Sequence, residues 1–314
     1  MLLRRLCYNR LMDWFRVLAG EHVALGLSGG ADSAALLWRC RAQGLQITAL
    51  HFNHGFDDEN GDEAEAFCRA LCARAGVALR VGRCEVPRPA QGWSKEAFAR
   101  RHRMAFFVRE LRALGLRTIL LAHQADDRAE GLVLRLARGC GGAALTSFGS
   151  EAPLPGARDL RLVRPLLNET HAALVAELRA RGESWVEDCS NADVRIPRNA
   201  LRRCLVPTLP HFTAGVNAAA RLLAEDEAYL EAAAHAAIYH FSPDALHLKP
   251  ETPPVLARRA LRRWLSGTDK GPLGPGQAAC ERLLALEPGA VTMLPGPLRI
   301  RRLSPTAWLR EPLR

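Results

Sequence analysis

The feature that most constrains the fold is a glycine turn between an apolar strand and an apolar helix. Residues 28–33 read Ser-Gly-Gly-Ala-Asp-Ser, with the apolar runs Val23–Leu27 before them and Ala34–Trp38 after them. Such a turn points backbone N–H groups and a helix N-terminus at one place, where a phosphate can bind. Its two glycines allow close backbone approach and a positive φ. The sequence predicts a phosphate-binding turn here; an ordinary helix start capped by Ser or Asp is the simpler alternative.

Strand-like and helical patterns alternate through the first half of the chain. The predicted strands are His22–Leu27, Gln46–Phe52, Ala78–Cys84 and Thr118–Ala122, and the predicted helices are Ser33–Ala42, Gly61–Ala75, Lys95–Leu114 and Asp126–Ala137. This alternation predicts an α/β fold with a doubly wound parallel sheet. Ligands of such sheets lie beyond the carboxyl ends of the strands, which is where the polar motifs described below occur.

The second half of the chain has a different pattern. The Gly/Pro-rich stretch from Gly139 to Pro165 reads as a long loop with a short strand at Leu160–Val163. Further helices are predicted at Glu169–Arg181, Ala200–Leu209, Ala218–Tyr239, Leu256–Trp264 and Gln277–Leu286. Because Pro207 and Pro210 interrupt the helical pattern, we predict two domains, residues 1–212 and 213–314, the second smaller and mainly helical. The basic, apolar C-terminal segment has no clear periodicity.

Charge and cysteine content restrict the function classes. The formal net charge is +10 with a pI of about 9.6, and nearly all positive charge comes from arginine. A polyanionic partner such as nucleic acid fits this balance, although arginine excess can also reflect genome composition. The cysteines form no C-x-x-C pair that could contribute to a zinc site, and their odd number and irregular spacing argue against a disulfide framework. No apolar run reaches membrane-spanning length, so we expect a cytoplasmic protein without a membrane partner.

Polar clusters follow the predicted strands. His51 and Asn53 share one face at the end of the second strand, where either a structural or a ligand-binding role is open. His123 follows a later strand, and the adjacent acids Asp126 and Asp127 come directly after it. Two such acids cap a helix or bind a cation, and these roles are compatible.

Arginines recur at helical spacing near these clusters. Arg100 and Arg103 are neighbours on one helix face and can hold one anion together, although a solvated basic face is the simpler interpretation. Arg135 and Arg138 follow one face of the next predicted helix. A further dense polar cluster contains Glu187, Asp188, Asn191, Asp193, Arg198, Asn199 and Arg202. A generic turn does not need so many charged and amide groups, which favours a functional role.

Taken in order, these motifs resemble the tRNA(Ile)-lysidine synthetases, a family of N-type (PP-loop) ATP pyrophosphatases. The matching motifs are Ser28–Ser33, His51-Phe52-Asn53-His54-Gly55, Glu96-x-x-Ala99-Arg100-x-x-Arg103, His123-x-x-Asp126-Asp127-x-x-Glu130, Leu132–Gly139, Arg164-Pro165-Leu166-Leu167, Glu187-Asp188-x-Ser190-Asn191-x-Asp193 and Arg198-Asn199-x-x-Arg202. The likeness runs from about residue 20 to about residue 210. Asp57, Met104, Gly131 and Cys189 depart from the family pattern, and Asp57 puts an anion contact at its position in doubt.

The resemblance implies a fold like that of the adenine nucleotide alpha hydrolases and a two-step reaction. ATP would adenylate O2 of the wobble cytidine of a tRNA(Ile) with a CAU anticodon. The ε-amine of free L-lysine would then attack C2 and expel AMP, which changes the codon read from AUG to AUA. ATP and Mg²⁺ are the implied cofactors, the second domain would bind the tRNA, and a homodimer is the assembly common in this class.

The resemblance also assigns roles to individual residues. The implied catalytic residues are Asp32, Arg100, Arg103, Asp126, Asp127 and Asp188, of which Asp32 and Asp127 would bind the metal. The implied nucleotide-binding residues are Ser28, Gly29, Gly30, Ala31, Asp32, Ser33, His51, Asn53 and His123. Contacts to lysine or tRNA are implied for Glu130, Arg135, Arg138, Glu187, Asn191, Arg198, Asn199 and Arg202. For the acid that deprotonates lysine, the candidates are Asp127, Asp188 and Glu130.

Two other functions remain as alternatives. A tRNA thiolase of the PP-loop class would typically use C-x-x-C or dedicated catalytic cysteines, and no C-x-x-C pair is present. A nucleotide-binding protein without catalysis would not need the acidic clusters at residues 126–127 and 187–193.

Overall fold

A computed structural model describes residues 11–56, 60–84, 94–187, 197–209, 211–266, 277–295 and 298–312. The chain forms two compact units, Met1–Ala220 and Arg221–Arg314. The predicted domain boundary at residues 212/213 coincides with the start of a long helix at Phe212, and the two units divide further along that same helix.

The first unit is built on a six-stranded sheet. Its strands are β1 (His22–Gly26), β2 (Gln46–Asn53), β3 (Ala78–Arg83), β4 (Thr118–Leu120), β5 (Glu151–Leu154) and β6 (Ala157–Val163). The strand order is β3-β2-β1-β4-β6-β5, with all pairs parallel except β5 with β6. The predicted parallel α/β sheet is confirmed. The stretch predicted as a loop after Gly139 instead contains the β5–β6 hairpin, because Pro155 and Gly156 form a tight turn between two short strands.

Helices cover both faces of this sheet. They are α1 (Leu11–Val17), α2 (Ala31–Ala42), α3 (Gly61–Ala75), α4 (Lys95–Ala113), α5 (Ala125–Ala137), the short α6 (Gly142–Leu145) and α7 (His171–Ala180). Alternate residues of β1 face opposite sides: Val23 and Leu25 join the core with α2, α3 and α7, whereas Ala24 joins the core with α4. The region predicted as one helix at residues 200–209 is instead the short α8 (Pro197–Ala200), a π-helical turn Leu201–Leu205 and a 3₁₀ turn.

The second unit contains more strand than the sequence indicated. Its helices are the later part of α9 (Phe212–Ala236), α10 (Pro254–Ser266) and α11 (Gln277–Ala285), which confirms the helical part of the prediction. Its five-stranded antiparallel sheet was not predicted: β7 (Ile238–Phe241), β8 (Ala245–Leu248), β9 (Val291–Leu294), β10 (Leu298–Ser304) and β11 (Ala307–Glu311), in the order β7-β8-β11-β10-β9. The basic C-terminal segment forms β10 and β11. Buried Ile300 and Trp308 anchor these strands, and the guanidinium groups of Arg302 and Arg310 lie over the rings of Trp308 and Trp264.

Among the described residues, no helix is long and apolar enough to cross a membrane.

Candidate active site

A cavity of about 600 Å³ lies where the carboxyl ends of β1, β2 and β4 meet. Parallel sheets place their ligands at this edge. The predicted site residues that line it are Ser28, Gly30, Ala31, Asp32, Ser33, His51, Asn53, Arg103, His123, Asp127, Glu187, Arg198, Asn199 and Arg202. Motifs that are far apart in sequence therefore surround one space. Gly29, Arg100, Asp126, Glu130, Arg135 and Arg138 are not part of its lining.

The glycine turn connects β1 to α2. Gly29 has a φ of +93° and is buried beside Ala64 and Cys68, so a side chain at this position would be strained. Ser33 Oγ donates to the Gly30 carbonyl at 2.9 Å and lies 3.1 Å from Ser28 Oγ. Gly30 is the N-cap of α2 and supplies no side-chain cap, and its own N–H donates to Ser28 Oγ at 3.3 Å. The turn thus presents an open helix N-terminus to the cavity, as phosphate binding requires.

His51 and Asn53 close the second strand and are buried. His51 Nδ1–H donates to the Leu27 carbonyl at 2.9 Å, and burial lowers its pKa, so the ring is neutral. Its Nε2 is then an acceptor and is buried without a partner among the described residues. Asn53 donates to Asp62 and accepts from the Gly55 backbone N–H, which fixes the turn that follows β2.

Two carboxylates face the cavity beside the glycine turn. Asp127 lies in the first turn of α5 and accepts the Gln124 backbone N–H at 3.1 Å in a capping box. Burial raises the pKa of Asp127 despite the nearby Arg198 and Arg202. Asp32, in the first turn of α2, accepts from His171 Nδ1–H at 2.8 Å, and this hydrogen bond raises the pKa of His171.

Asp126 points elsewhere. One of its oxygens accepts the backbone N–H of His171 at 2.9 Å, and the other accepts the hydroxyl of Thr213 at 2.6 Å. The structure thus places this acid where it joins α5 to the starts of α7 and α9.

Glu130 is buried behind the cavity and holds two of its arginines. Arg202 donates to both Glu130 oxygens, at 2.7 and 3.1 Å, and Arg198 Nε lies 3.3 Å from Oε2. Burial raises the pKa of Glu130 against the effect of Arg202. Because Arg202 lies in the π-helical turn, this pair also fixes an irregular backbone segment of the kind often found at functional sites. Glu130 therefore positions Arg198 and Arg202 at the cavity wall.

The remaining predicted arginines lie on α4 and α5. Arg103 lines the cavity, and burial, with repulsion from Arg100, lowers its pKa to about 10. Arg100 is exposed one turn earlier. Arg135 is half-buried with its guanidinium 5.8 Å from the Phe148 ring, and Arg138 is exposed at the end of α5.

Part of the last polar cluster can be placed. Glu187 lines the cavity, and its carbonyl accepts from Asn60 Nδ2 at 3.0 Å. Asn199 is buried at the cavity wall. Asp188 and Asn191 lie outside the described residues.

Sequence reasoning missed several residues that the structure brings to the site. His171 begins α7 and reaches Asp32 only because α7 packs against α2. Trp185, Asn60 and Phe107 also line the cavity. Only Phe107 carried a usable signal, its place on the apolar side of the predicted α4 helix near Arg103.

Comparisons with known proteins agree with this geometry. The family model of the PP-loop domain matches residues 6–209. A tRNA(Ile)-lysidine synthase of Thermus thermophilus is 37% identical over 95% of this chain, which spans 58% of that relative's length. The corresponding synthase of Shigella flexneri is 33% identical over 93% of this chain, and 70% of that relative is covered.

Among solved structures, the U34-tRNA thiolase NcsA from Methanococcus maripaludis has a TM-score of 0.54 at 15% identity, covering 69% of this chain and 80% of its own. That likeness supports the fold alone. The PP-loop match over residues 6–209 and the 33% identity to a synthase of which 70% is covered lead to one conclusion: the chain belongs to the tRNA(Ile)-lysidine synthase family of PP-loop proteins.

Proposed function

We propose that this protein ligates free L-lysine to C2 of the wobble cytidine of a tRNA(Ile) with a CAU anticodon, using ATP to activate the base. The observation that carries this proposal is that one cavity is lined by the glycine turn, by the carboxylates Asp32 and Asp127 and by arginines. The three groups match the needs of a nucleotide, an amine nucleophile and a polyanion. The family membership of the chain supports the same reaction.

In the first step the glycine turn would hold the ATP phosphates while cytidine O2 attacks the α-phosphorus and pyrophosphate departs. The open N-terminus of α2 and the backbone at Gly29 and Gly30 would receive the negative charge. Arg103, at the cavity wall, would stabilise the charge that develops on the leaving group.

Asp32 and Asp127 suit Mg²⁺. Both are hard oxygen donors at the cavity wall beside the turn, and Mg²⁺ commonly takes one or two carboxylates together with phosphate oxygens. Within the described residues, no group of His, Cys, Asp and Glu could hold a metal by itself, which fits an ion shared with the nucleotide. When bound, Mg²⁺ would offset charge on the pyrophosphate.

In the second step a base must take a proton from the lysine ammonium, since only the neutral amine is a nucleophile. Asp127 is the first candidate, because it faces the cavity beside the glycine turn. Glu130 is less suited, because Arg202 occupies both its oxygens. Asp188 stays a candidate from its sequence motif.

Cysteine chemistry finds little support. Among the described residues no cysteine lines the cavity, and burial raises the pKa of Cys68 to about 12 and that of Cys72 to about 11. Such thiols are poor nucleophiles at neutral pH. This argues against the thiolase alternative.

The direct test incubates the protein with ATP, labelled lysine and bulk bacterial tRNA. We expect lysine to enter the tRNA with release of AMP and pyrophosphate. Sulfur transfer from a donor would support a thiolase, and nucleotide binding without turnover would support a binding protein. Whether the enzyme is a homodimer is a separate prediction, which light scattering of the purified protein would test.

The role of Asp127 is tested by Asp127→Asn, compared with Asp159→Asn, which removes an exposed carboxylate paired with Arg112. We expect Asp127→Asn to slow lysine transfer by about 10²- to 10⁴-fold, as for loss of a general base. The Asp159 variant should match the wild type. If Asp127→Asn retains full lysine turnover, the base is another residue.

A further inference from the structure

Beside the cavity lies a group that we call the arginine–aromatic cluster, made of His123, Arg135, Phe148 and Arg164. The ring of Phe148 is its centre. The Arg164 guanidinium lies 4.5 Å from that ring, the Arg135 guanidinium 5.8 Å away, and the His123 ring meets it edge-on at 5.2 Å. The cluster reaches the cavity through His123, which lines it.

The chain topology explains why these residues meet. Arg164 directly follows β6, and His123 lies three residues after the end of β4. The two strands pair in parallel, with Leu120 opposite Val163. Phe148 comes just before β5, which pairs with β6 on its other side. The cluster therefore stands at the carboxyl ends of β4 and β6, beside the glycine turn at the end of β1.

The two arginines of the cluster have no acidic partner within the described part of the chain. In the residues that the structure describes, no carboxylate lies within ion-pair distance of Arg135 or Arg164. Arg164 is buried, donates to the Gly149 carbonyl at 2.8 Å, and keeps Nε without a partner. His123 Nδ1 and Arg135 Nε are likewise buried and unpartnered within the same part of the chain.

Electrostatics point the same way. Burial, together with repulsion from Arg100 and Arg135, lowers the pKa of Arg164 to about 10. Burial and the surrounding arginines also keep the pKa of His123 well below its usual value, so this ring is neutral. Unpaired buried cations are costly, and an anion that binds among them removes that cost.

We propose that the arginine–aromatic cluster binds a backbone phosphate of the RNA strand whose base enters the cavity. This inference rests on the proposed function and adds to it a site that binds the RNA backbone. A phosphodiester is favoured over the ATP phosphates, because the glycine turn and the start of α2 already offer a phosphate site at β1. Arginine forks match phosphate oxygens in geometry and charge.

The test measures binding of a labelled tRNA(Ile) transcript with a CAU anticodon, without ATP or lysine, between about 50 and about 200 mM salt. The variants are Arg164→Gln and, because Arg164 is buried, also the half-buried Arg135→Gln. The control is Arg109→Gln, which removes an exposed arginine on α4 that pairs with Glu110. Circular dichroism confirms the fold of each variant, and ATP affinity is measured separately.

We expect each cluster variant to bind the tRNA several-fold more weakly at low salt. The slope of log affinity against log salt should fall by about 0.7 to 0.9 for one lost phosphate contact. Arg109→Gln should bind the tRNA with the affinity and salt dependence of the wild type. Arg164→Gln should keep the wild-type affinity for ATP. Wild-type tRNA affinity and slope in both cluster variants would overturn the proposal, as would a loss confined to ATP binding.

These outcomes separate this proposal from the proposed function. A wild-type protein that ligates lysine while the cluster variants bind tRNA normally refutes only the phosphate site. A wild-type protein that binds tRNA through the cluster but never transfers lysine refutes only the ligase assignment.

Discussion

At the scale of single residues, the site depends on a few side chains whose environments differ sharply. Asp127 is partly buried and its pKa is raised, whereas Asp32 is somewhat more exposed and accepts a hydrogen bond from His171. Glu130 and Asp126 resemble Asp127 in sequence, yet both are saturated by neighbours within the protein. The position of each acid in the fold, rather than its residue type, therefore decides whether it is available to a substrate or holds other parts of the protein in place.

Gly29 provides a test of the phosphate turn. Gly29→Ala forces a side chain into a left-handed backbone, which costs about 1 to 2 kcal/mol, and should also weaken ATP binding. Gly44→Ala is the matched control, since Gly44 also has a positive φ of +69° but lies in an open turn after α2. Both variants should have a lower melting temperature than the wild type. Calorimetry should find weaker ATP binding only for Gly29→Ala. Equal ATP affinity in both would contradict the assignment.

His51 predicts a pH dependence of stability. Burial lowers its folded-state pKa below the ordinary value of 6.5. Below that pH the His51 side chain becomes protonated in the unfolded chain but stays neutral in the folded protein, so acidification favours unfolding. The contribution of His51 to the free energy of unfolding is complete above the pKa of the unfolded state. It falls as the pH decreases, by at most about 1.4 kcal/mol per pH unit.

Urea unfolding of wild type and His51→Gln at about pH 7 and about pH 5.5 measures this effect. The variant should lose less stability on acidification than the wild type. His123, whose pKa is also lowered by burial, remains in both proteins and contributes equally to each. The same pH dependence in both would show that His51 is not held neutral.

At the scale of elements, the α5 helix carries the site and is held at its N-terminus by α9. Asn217 on α9 is buried, donates to the Ala125 carbonyl at 2.9 Å and accepts from Arg128 Nε at 2.6 Å. Thr213, one turn earlier, donates to Asp126. These bonds fix the turn that presents Asp127 to the cavity.

Asn217→Ala removes both side-chain hydrogen bonds of Asn217, so the Ala125 carbonyl loses its donor and Arg128 Nε loses its acceptor. We expect a loss of about 1 to 3 kcal/mol in local stability, since an unsatisfied buried group carries its desolvation cost. Hydrogen exchange should accelerate at the first amides of α5. Glu225→Ala, on an exposed part of the same helix, should leave that exchange unchanged. Unchanged protection of α5 in Asn217→Ala would show that α9 does not hold it.

At the scale of the whole molecule, the sequence predicted what is encoded locally. The turn at residues 28–33, the parallel sheet and the cavity at its carboxyl edge follow from periodicity and from residue spacing. His171 escaped prediction because only the packing of α7 on α2 brings it to Asp32. The contact between Arg164 and Phe148 could not be predicted from the sequence, because it depends on the β5–β6 hairpin.

The second unit shows the same limit in another form. Its helices carry clear apolar faces and were found, whereas its strands are short and rich in arginine, so alternation around Ile300 and Trp308 was hidden. What this unit binds stays a prediction; its arginines on α10 and β10 fit a tRNA partner.

The most direct measurement maps the modification on a single tRNA. Purified tRNA(Ile) with a CAU anticodon is incubated with the protein, ATP and lysine, then digested and analysed by mass spectrometry. We predict that the wobble cytidine alone gains the mass of lysine less one water, and that one AMP and one pyrophosphate appear per lysine transferred. A cytidine of unchanged mass, a sulfur-containing base, or lysine attached elsewhere in the tRNA would contradict the proposed function.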